Sequence, residues 1–183
     1  MLCNSIVRCV LHIFEFNLCG CSLRFNGVLC MWGGNQIERN IKKYGWHCVH
    51  VFPDAAGQDK FTYTIGLSET YGGPEVMIFG LDEMRAHKLL GVCASLLEKG
   101  NELKVEVLDD RLLCGGYKVM FREVGKSVFG EYLGTAVKYF GGNDFRAVVM
   151  FIPDMQGRFP WEKDYAYIPV QESLGIVVPF SFG

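Results

Sequence analysis

Cys48 stands between His47 and His50, a trio whose types could ligate a metal or activate a thiol. The segment around them, Trp46 to Phe52, reads as a strand, and on a strand an offset of three puts His47 and His50 on opposite faces. Without a bulge they cannot share one ion. His87 falls on the polar flank of a helical segment, and the sequence contains neither paired Cys-x-x-Cys nor His-Glu-x-x-His, the spacings that place zinc ligands together. No metal site is expected. A cysteine nucleophile needs a basic, partly exposed setting. Neighbouring side chains on a strand point away from each other, so no activation of Cys48 by the flanking histidines is expected. Gly125-Lys126-Ser127 echoes a phosphate loop, but that motif needs a glycine at position 120, which is Met120. A turn and helix start is the better reading. There is no Gly-x-Ser-x-Gly elbow to expose a serine.

Two other segments carry groups that could hold a ligand. Thr62, Tyr63, Thr64 and Ser68 offer hydroxyls beside Gly66, where a backbone can approach a ligand closely, and Glu75 opens a strand after Pro74. At the level of fold this part resembles the first strands of flavin-binding split barrels. That likeness implies a flavin whose phosphate is held by small polar residues and backbone N–H groups, and it licenses no function by itself. Hydroxyls at a sheet edge in solvent are the plainer reading. The second segment runs from Asp154 to Trp161. Loops carrying Arg and Trp beside a rigid strand end are common binding sites, and Arg158 can clamp a carboxylate or phosphate through two parallel bonds. Equally, Asp154 can cap the turn and pair with Arg158 while Phe159 and Trp161 close one end of the core. The candidate ligand-binding residues are therefore His47, Tyr63, Thr64, Glu75, Asp154, Arg158 and Trp161. If they form a single site, His47, Tyr63, Glu75 and Arg158 must converge on one cavity.

The elements that would position these groups can be read from punctuation and periodicity. Asn35 to Tyr44 reads as a short helix capped by Asn35, with Lys42 and Lys43 in its last turn and Gly45 as its stop. Trp46–Phe52 and Phe61–Ile65 read as strands joined through a hairpin-type loop, Pro53 to Asp59. Glu75–Phe79 is apolar enough to be a central strand. The strongest helix runs from Glu83 to about Lys99. Asp82 caps it, Gly100 stops it, and Ala86, Leu89, Leu90, Cys93, Leu96 and Leu97 form one apolar stripe. Leu103–Leu108 and Tyr117–Val124 are further strands. Ser127 opens a second helix reaching Phe140, and Arg146–Ile152 is a last, buried strand. The order β-β-β-α-β-β-α-β predicts an α+β fold, a mostly antiparallel sheet with two main helices packed on it.

Bulk properties narrow the function classes. A chain of 183 residues, half of them hydrophobic and 21% charged, can bury a core without disulfides or metals. The net charge of −2, with no Lys/Arg block, argues against nucleic acid. No apolar run approaches a membrane span. Five of the eight cysteines (Cys3, Cys9, Cys19, Cys21, Cys30) crowd into the first thirty residues, while Cys48, Cys93 and Cys114 lie in apolar surroundings. This is no disulfide framework, and a reducing cytoplasm is expected. Residues 1–34 read as an atypical Cys-rich extension, with the composition break pointing to a translational start at Met31. Residues 35–170 read as a single domain and 171–183 as a tail.

Three blocks of short motifs occur in order: Tyr44-Gly45-Trp46-His47 with Val51-Phe52-Pro53-Asp54; Phe61-Thr62-Tyr63-Thr64-Ile65-Gly66-Leu67 with Pro74-Glu75 and Phe79-Gly80-Leu81; and Glu131 to Ala136, Gly141 to Phe145, and Pro153-Asp154 to Gly157-Arg158-Phe159-Pro160-Trp161. In order and spacing the chain resembles the bacterial domain-of-unknown-function family numbered four-two-six-two, across residues 44–162. The resemblance implies a fold and a bacterial origin. It brings no catalytic residues. With no activated nucleophile, metal set or carboxylate pair in view, the expected function is a non-enzymatic module binding a small ligand or a protein. A flavin-dependent or other small-molecule enzyme on a split-barrel-like sheet is the alternative.

Overall fold

The computed structural model describes residues 34–52, 60–166 and 175–178. The expectations for the N-terminal extension up to residue 33, including a start at Met31, for the 53–59 loop and for most of the C-terminal tail fall outside them. In chain order the elements are α1 (Gly34–Tyr44), β1 (His47–Val51), β2 (Phe61–Ile65), α2 (Leu67–Tyr71), β3 (Glu75–Phe79), α3 (Glu83–Glu98), β4 (Leu108–Asp109) and β5 (Val119–Glu123). A 3-10 turn (Lys126–Val128), α4 (Phe129–Tyr132), α5 (Gly134–Phe140) and β6 (Ala147–Phe151) complete them. The strands make one six-stranded sheet in the order β1-β2-β3-β6-β5-β4. All neighbours are antiparallel except β3 and β6, which run parallel with Glu75 opposite Ala147. The fold is α+β, as the sequence predicts.

Alternation along the strands sends side chains to two separate cores. Val76 and Ile78 of β3, with Val148 and Met150 of β6, pack under α3 through Ala86, Leu89, Leu90, Cys93 and Leu97. Met77, Phe79, Val149 and Phe151 point the other way, joining Phe61, Tyr63 and Ile65 against Ile41 of α1, Phe129, Leu133 and Ala136. Because both faces are covered, β2, β3 and β6 are buried along their whole length. Each fully buried aliphatic side chain contributes roughly 1.5–3 kcal/mol. α3 begins as its sequence requires, the Asp82 carboxylate accepting the Arg85 N–H at 3.0 Å.

Four local features differ from the sequence reading. α1 starts at Gly34, so Asn35 lies inside the helix rather than capping it. The strand expected over 103–108 shrinks to Leu108–Asp109 plus a single bridge from Val105 to Phe121. Its cause is Glu106, whose φ of 59° breaks the extended run. The helix expected from Ser127 to Phe140 is interrupted at Leu133, which leaves helical geometry at φ −115°, ψ 27°. Gly130 and Gly134 flank that break and weaken helix on either side. Finally, the segment after β2 coils into the short helix α2. Gly66 precedes it at φ 108°, a conformation glycine tolerates, and an added Cβ there would meet Ile41 at 2.8 Å.

Candidate functional site

The candidate residues separate into three places. The first is Glu75, at the start of β3 and wholly removed from solvent (0% exposed). Its carboxylate accepts from the Thr64 hydroxyl at 2.7 Å, the Ser68 hydroxyl at 2.9 Å, and the backbone N–H groups of Gly66, Leu67 and Ser68 at 3.0, 3.3 and 3.1 Å. The first N–H groups of a helix have no partner within it, and Glu75 supplies that partner to α2 from the next strand. Thr64 in turn accepts the Val76 N–H at 2.9 Å, tying β2 to β3. Burial pushes the Glu75 carboxyl above its usual range, more than the donations from Thr64, Ser68 and Gly66 pull it down. These small polar residues and backbone N–H groups are the donors a cofactor phosphate would use, and Glu75 takes them up.

The second place is the loop after β6. Asp154 is also buried (1% exposed). It accepts the backbone N–H groups of Gln156 and Arg158 at 2.9 Å each, that of Ala166 at 3.2 Å, and the Arg158 Nε–H at 2.8 Å. The Arg158 guanidinium also donates to the Gln156 side chain at 3.0 Å. Trp161 stacks on Phe159 at 5.0 Å and meets Phe151 edge-on at 5.2 Å. The Arg122 guanidinium lies 5.6 Å from the Trp161 ring. Burial pushes the Asp154 carboxyl up, but the backbone and side-chain donations from Arg158, with the Ala166 and Gln156 N–H groups, outweigh it and hold the carboxyl below the usual range. The loop so fixed forms one wall of an open recess of about 340 Å³, with Leu108, Gly116, Tyr117 and Lys118 opposite Met155 and Phe159. The Tyr117 hydroxyl donates to the Met155 carbonyl at 3.0 Å across it. Leu108 and Met155 are each 49% exposed at its rim.

The third place is β1. His47 Nδ1 lies 2.8 Å from the Asn40 amide nitrogen on α1. Cys48 and His50, two apart, share a face, and Cys48 Sγ lies 3.7 Å from His50 Nε2. His50 Nδ1 is 3.0 Å from the Thr62 hydroxyl on β2. Trp46 stacks on His87 of α3 at 5.1 Å. Among the described residues no group of three His, Cys, Asp or Glu is arranged to hold a metal ion.

A family model described as a domain of unknown function (DUF4262) matches residues 40–166. The chain belongs to this family. No curated protein and no solved structure matches it. The DUF4262 match takes in all three places and stops short of residues 1–39.

Within the DUF4262 domain, Thr64 joins Glu75, and Asp154 joins Arg158 with Trp161 close by. These two sets lie at opposite ends of β6, since Glu75 pairs with Ala147 at its start and Asp154 follows its end. Tyr63 is buried in the core against α1 and the ring cluster. His47 lies at the Glu75 end, opposite Ile65 in the register, and turns to Asn40. His47, Tyr63, Glu75 and Arg158 therefore do not converge on one cavity.

Sequence reasoning missed two groupings in this DUF4262 chain. Cys48 and His50 were set aside because adjacent strand residues diverge. They are separated by two, however, and the period of a strand brings them together. The recess was missed because Leu108, Tyr117 and Lys118 come from a hairpin far from Met155 in sequence. The only local signal was the adjacent apolar pair Val107-Leu108, which breaks the alternation of apolar and charged residues just before Asp109, Asp110 and Arg111.

Proposed function

We propose that the domain is a binding module whose recess beside Met155 takes an extended segment of a protein partner. The observation that carries this reading is the pairing of a rigid loop with an exposed apolar rim. Asp154 freezes residues 154–158 through three donors from that loop and ties them to Ala166 through a fourth, while Leu108 and Met155 stay half exposed on either side of the recess. Apolar groups held in place without being buried are what an interface core requires, since ordering them at binding then costs little. Val107 adds to the exposed apolar rim. Lys118 at the edge favours a segment with a carboxylate beside its apolar anchor. A reducing bacterial cytoplasm suits the domain, in which Cys48 and Cys93 are free thiols.

Selection of peptides from a random displayed library against the purified full chain tests the proposal. Enriched sequences should carry an apolar residue next to Asp or Glu. Their affinity, read by fluorescence anisotropy, should fall by about tenfold or more in Leu108→Glu and in Met155→Glu, as loss of a buried interface anchor implies. Peptides that bind both variants as well as the parent, or a library that yields no enrichment, would overturn it.

A further inference from the structure

β1 carries an arrangement that the binding reading does not use. The Cys48 Sγ stands 3.7 Å from His50 Nε2, and the other ring nitrogen, Nδ1, stands 3.0 Å from the Thr62 hydroxyl on the paired strand. His50 and Thr62 are direct partners in the β1–β2 register, so the backbone itself sets that second contact. Both ring nitrogens are thus engaged. One tautomer serves both contacts productively: Nδ1–H donates to the Thr62 oxygen, which leaves Nε2 as an acceptor for the thiol proton. This is the order nucleophile, base, orienting group. Thr62 is buried and fixed, whereas Cys48 is only partly buried.

We propose that Cys48, His50 and Thr62 form a base-assisted thiol site that exchanges with small disulfides, leaving a mixed disulfide on Cys48. In the step, His50 Nε2 takes the thiol proton as Sγ bonds to the nearer sulfur of the incoming disulfide. The disulfide's own S–S bond breaks, and the departing thiolate takes the proton back from Nε2. Cys48 is oxidised and the departing half is reduced, so one disulfide bond replaces another. No oxyanion develops in this exchange, so the three residues on β1 and β2 suffice where acyl transfer would need an additional donor pair.

The surroundings favour a neutral thiol beside a neutral ring over a preformed ion pair. Facing His50 are Cys48 on its own strand, Thr62 on β2, and Glu83 and His87 from α3, with Lys60 3.9 Å from Glu83; His47, on the other face of β1 and turned to Asn40, is felt only through its charge. Burial lowers the proton affinity of His50, and Glu83 offsets part of this. Burial also pushes the Cys48 thiol up to about 12. An unassisted thiol of that kind holds almost no thiolate at neutral pH, so reactivity there has to come through the imidazole.

The test uses the reduced full chain with oxidised glutathione as the probe. Site-resolved mass spectrometry follows mixed-disulfide formation at Cys48, at the partly buried Cys114 and at the buried Cys93. Cys48 is expected to react about tenfold or more faster than Cys114, the order of a general-base contribution at its low end. Its rate should level off once the imidazole is neutral, by about pH 7. His50→Gln should slow Cys48 by about tenfold while leaving Cys114 unchanged. A Cys48 rate no greater than that of Cys114, or one still climbing with each unit of pH through the alkaline range as for a plain thiol, overturns the proposal. If His50→Gln disturbs the fold, Cys93 becomes labelled, and the pH profile of the parent protein then decides on its own.

Discussion

Glu75 and Asp154 are both buried carboxylates that gather the donors of a loop, yet they are balanced differently. Among the described residues, every donor to Glu75 is neutral: two hydroxyls and three backbone N–H groups. Asp154 has three backbone N–H groups and the Arg158 guanidinium. Burial therefore prevails at Glu75 and raises its carboxyl, whereas at Asp154 the donors prevail over burial and lower it. The same device serves two ends. At Glu75 it locks the turn between β2 and α2 inside the fold. At Asp154 it locks a loop whose outer side remains free for contact.

The comparison is broken most severely by removing the Glu75 carboxylate. Glu75→Ala strands donors that lie in the interior, each costing about 1–3 kcal/mol, with water able to reach only the Ser68 side. The expected loss is roughly 3–4 kcal/mol in urea unfolding. A loss below about 1 kcal/mol would mean that the α2 donors find other acceptors. A smaller break is Thr64→Val, which keeps the shape but removes one donor to Glu75 and the acceptor of the Val76 N–H. About 1–2 kcal/mol is expected, read from the shift in urea midpoint at unchanged slope.

The sharpest distinction, and the smallest effect, is in pH dependence. Asp154 has its folded value below the ordinary 3.8, so its linkage contribution is present above that value and is lost as pH falls through the folded one. Glu75 has its folded value above 4.5, so the folded chain keeps a proton that the unfolded chain has released. Its contribution is complete below 4.5 and is lost as pH rises through the folded value. Urea midpoints from pH 3 to 7 (about the span of both groups) should therefore lose their acid-side fall in Asp154→Asn. In Glu75→Gln they should lose a decline towards neutrality. Identical slopes in both variants and the parent would show the two carboxylates to be alike after all.

How legible these features were depended on distance along the chain. α3 could be read whole, because Asp82, its apolar stripe and Gly100 are all local signals. The central placement of Glu75–Phe79 was legible from its apolar run, and β6 from Val148, Val149, Met150 and Phe151. Their parallel pairing was not, since nothing in either strand names its partner. The break at Leu133 was hidden because Phe129, Leu133, Ala136 and Phe140 keep helical spacing across it. At the candidate site, the Asp154–Arg158 pair could be foreseen as one of two readings, being four residues apart. The Glu75 cradle could not, because its donors are a helix start that the sequence did not announce. Cys48 and His50 were visible as residues, but their contact follows from strand period rather than adjacency.

The parallel joint between β3 and β6 has a kinetic consequence. β1, β2 and β3 follow one another with neighbouring strands paired, and β5 pairs with β6 across a modest span, so each half of the sheet can assemble from contacts close in sequence. The joint itself must close residues 80–146 between its strands, and loop-closure entropy makes such a contact late and slow. The Glu75 N–H bond to the Arg146 carbonyl at 2.8 Å is a rung of that seam. Until it zips, the chain is two half-sheets that each present an open inner edge, a ready template for pairing with another chain. The seam is thus where two locally formed pieces become one cooperative unit, and where a slowly folding chain is most exposed to association.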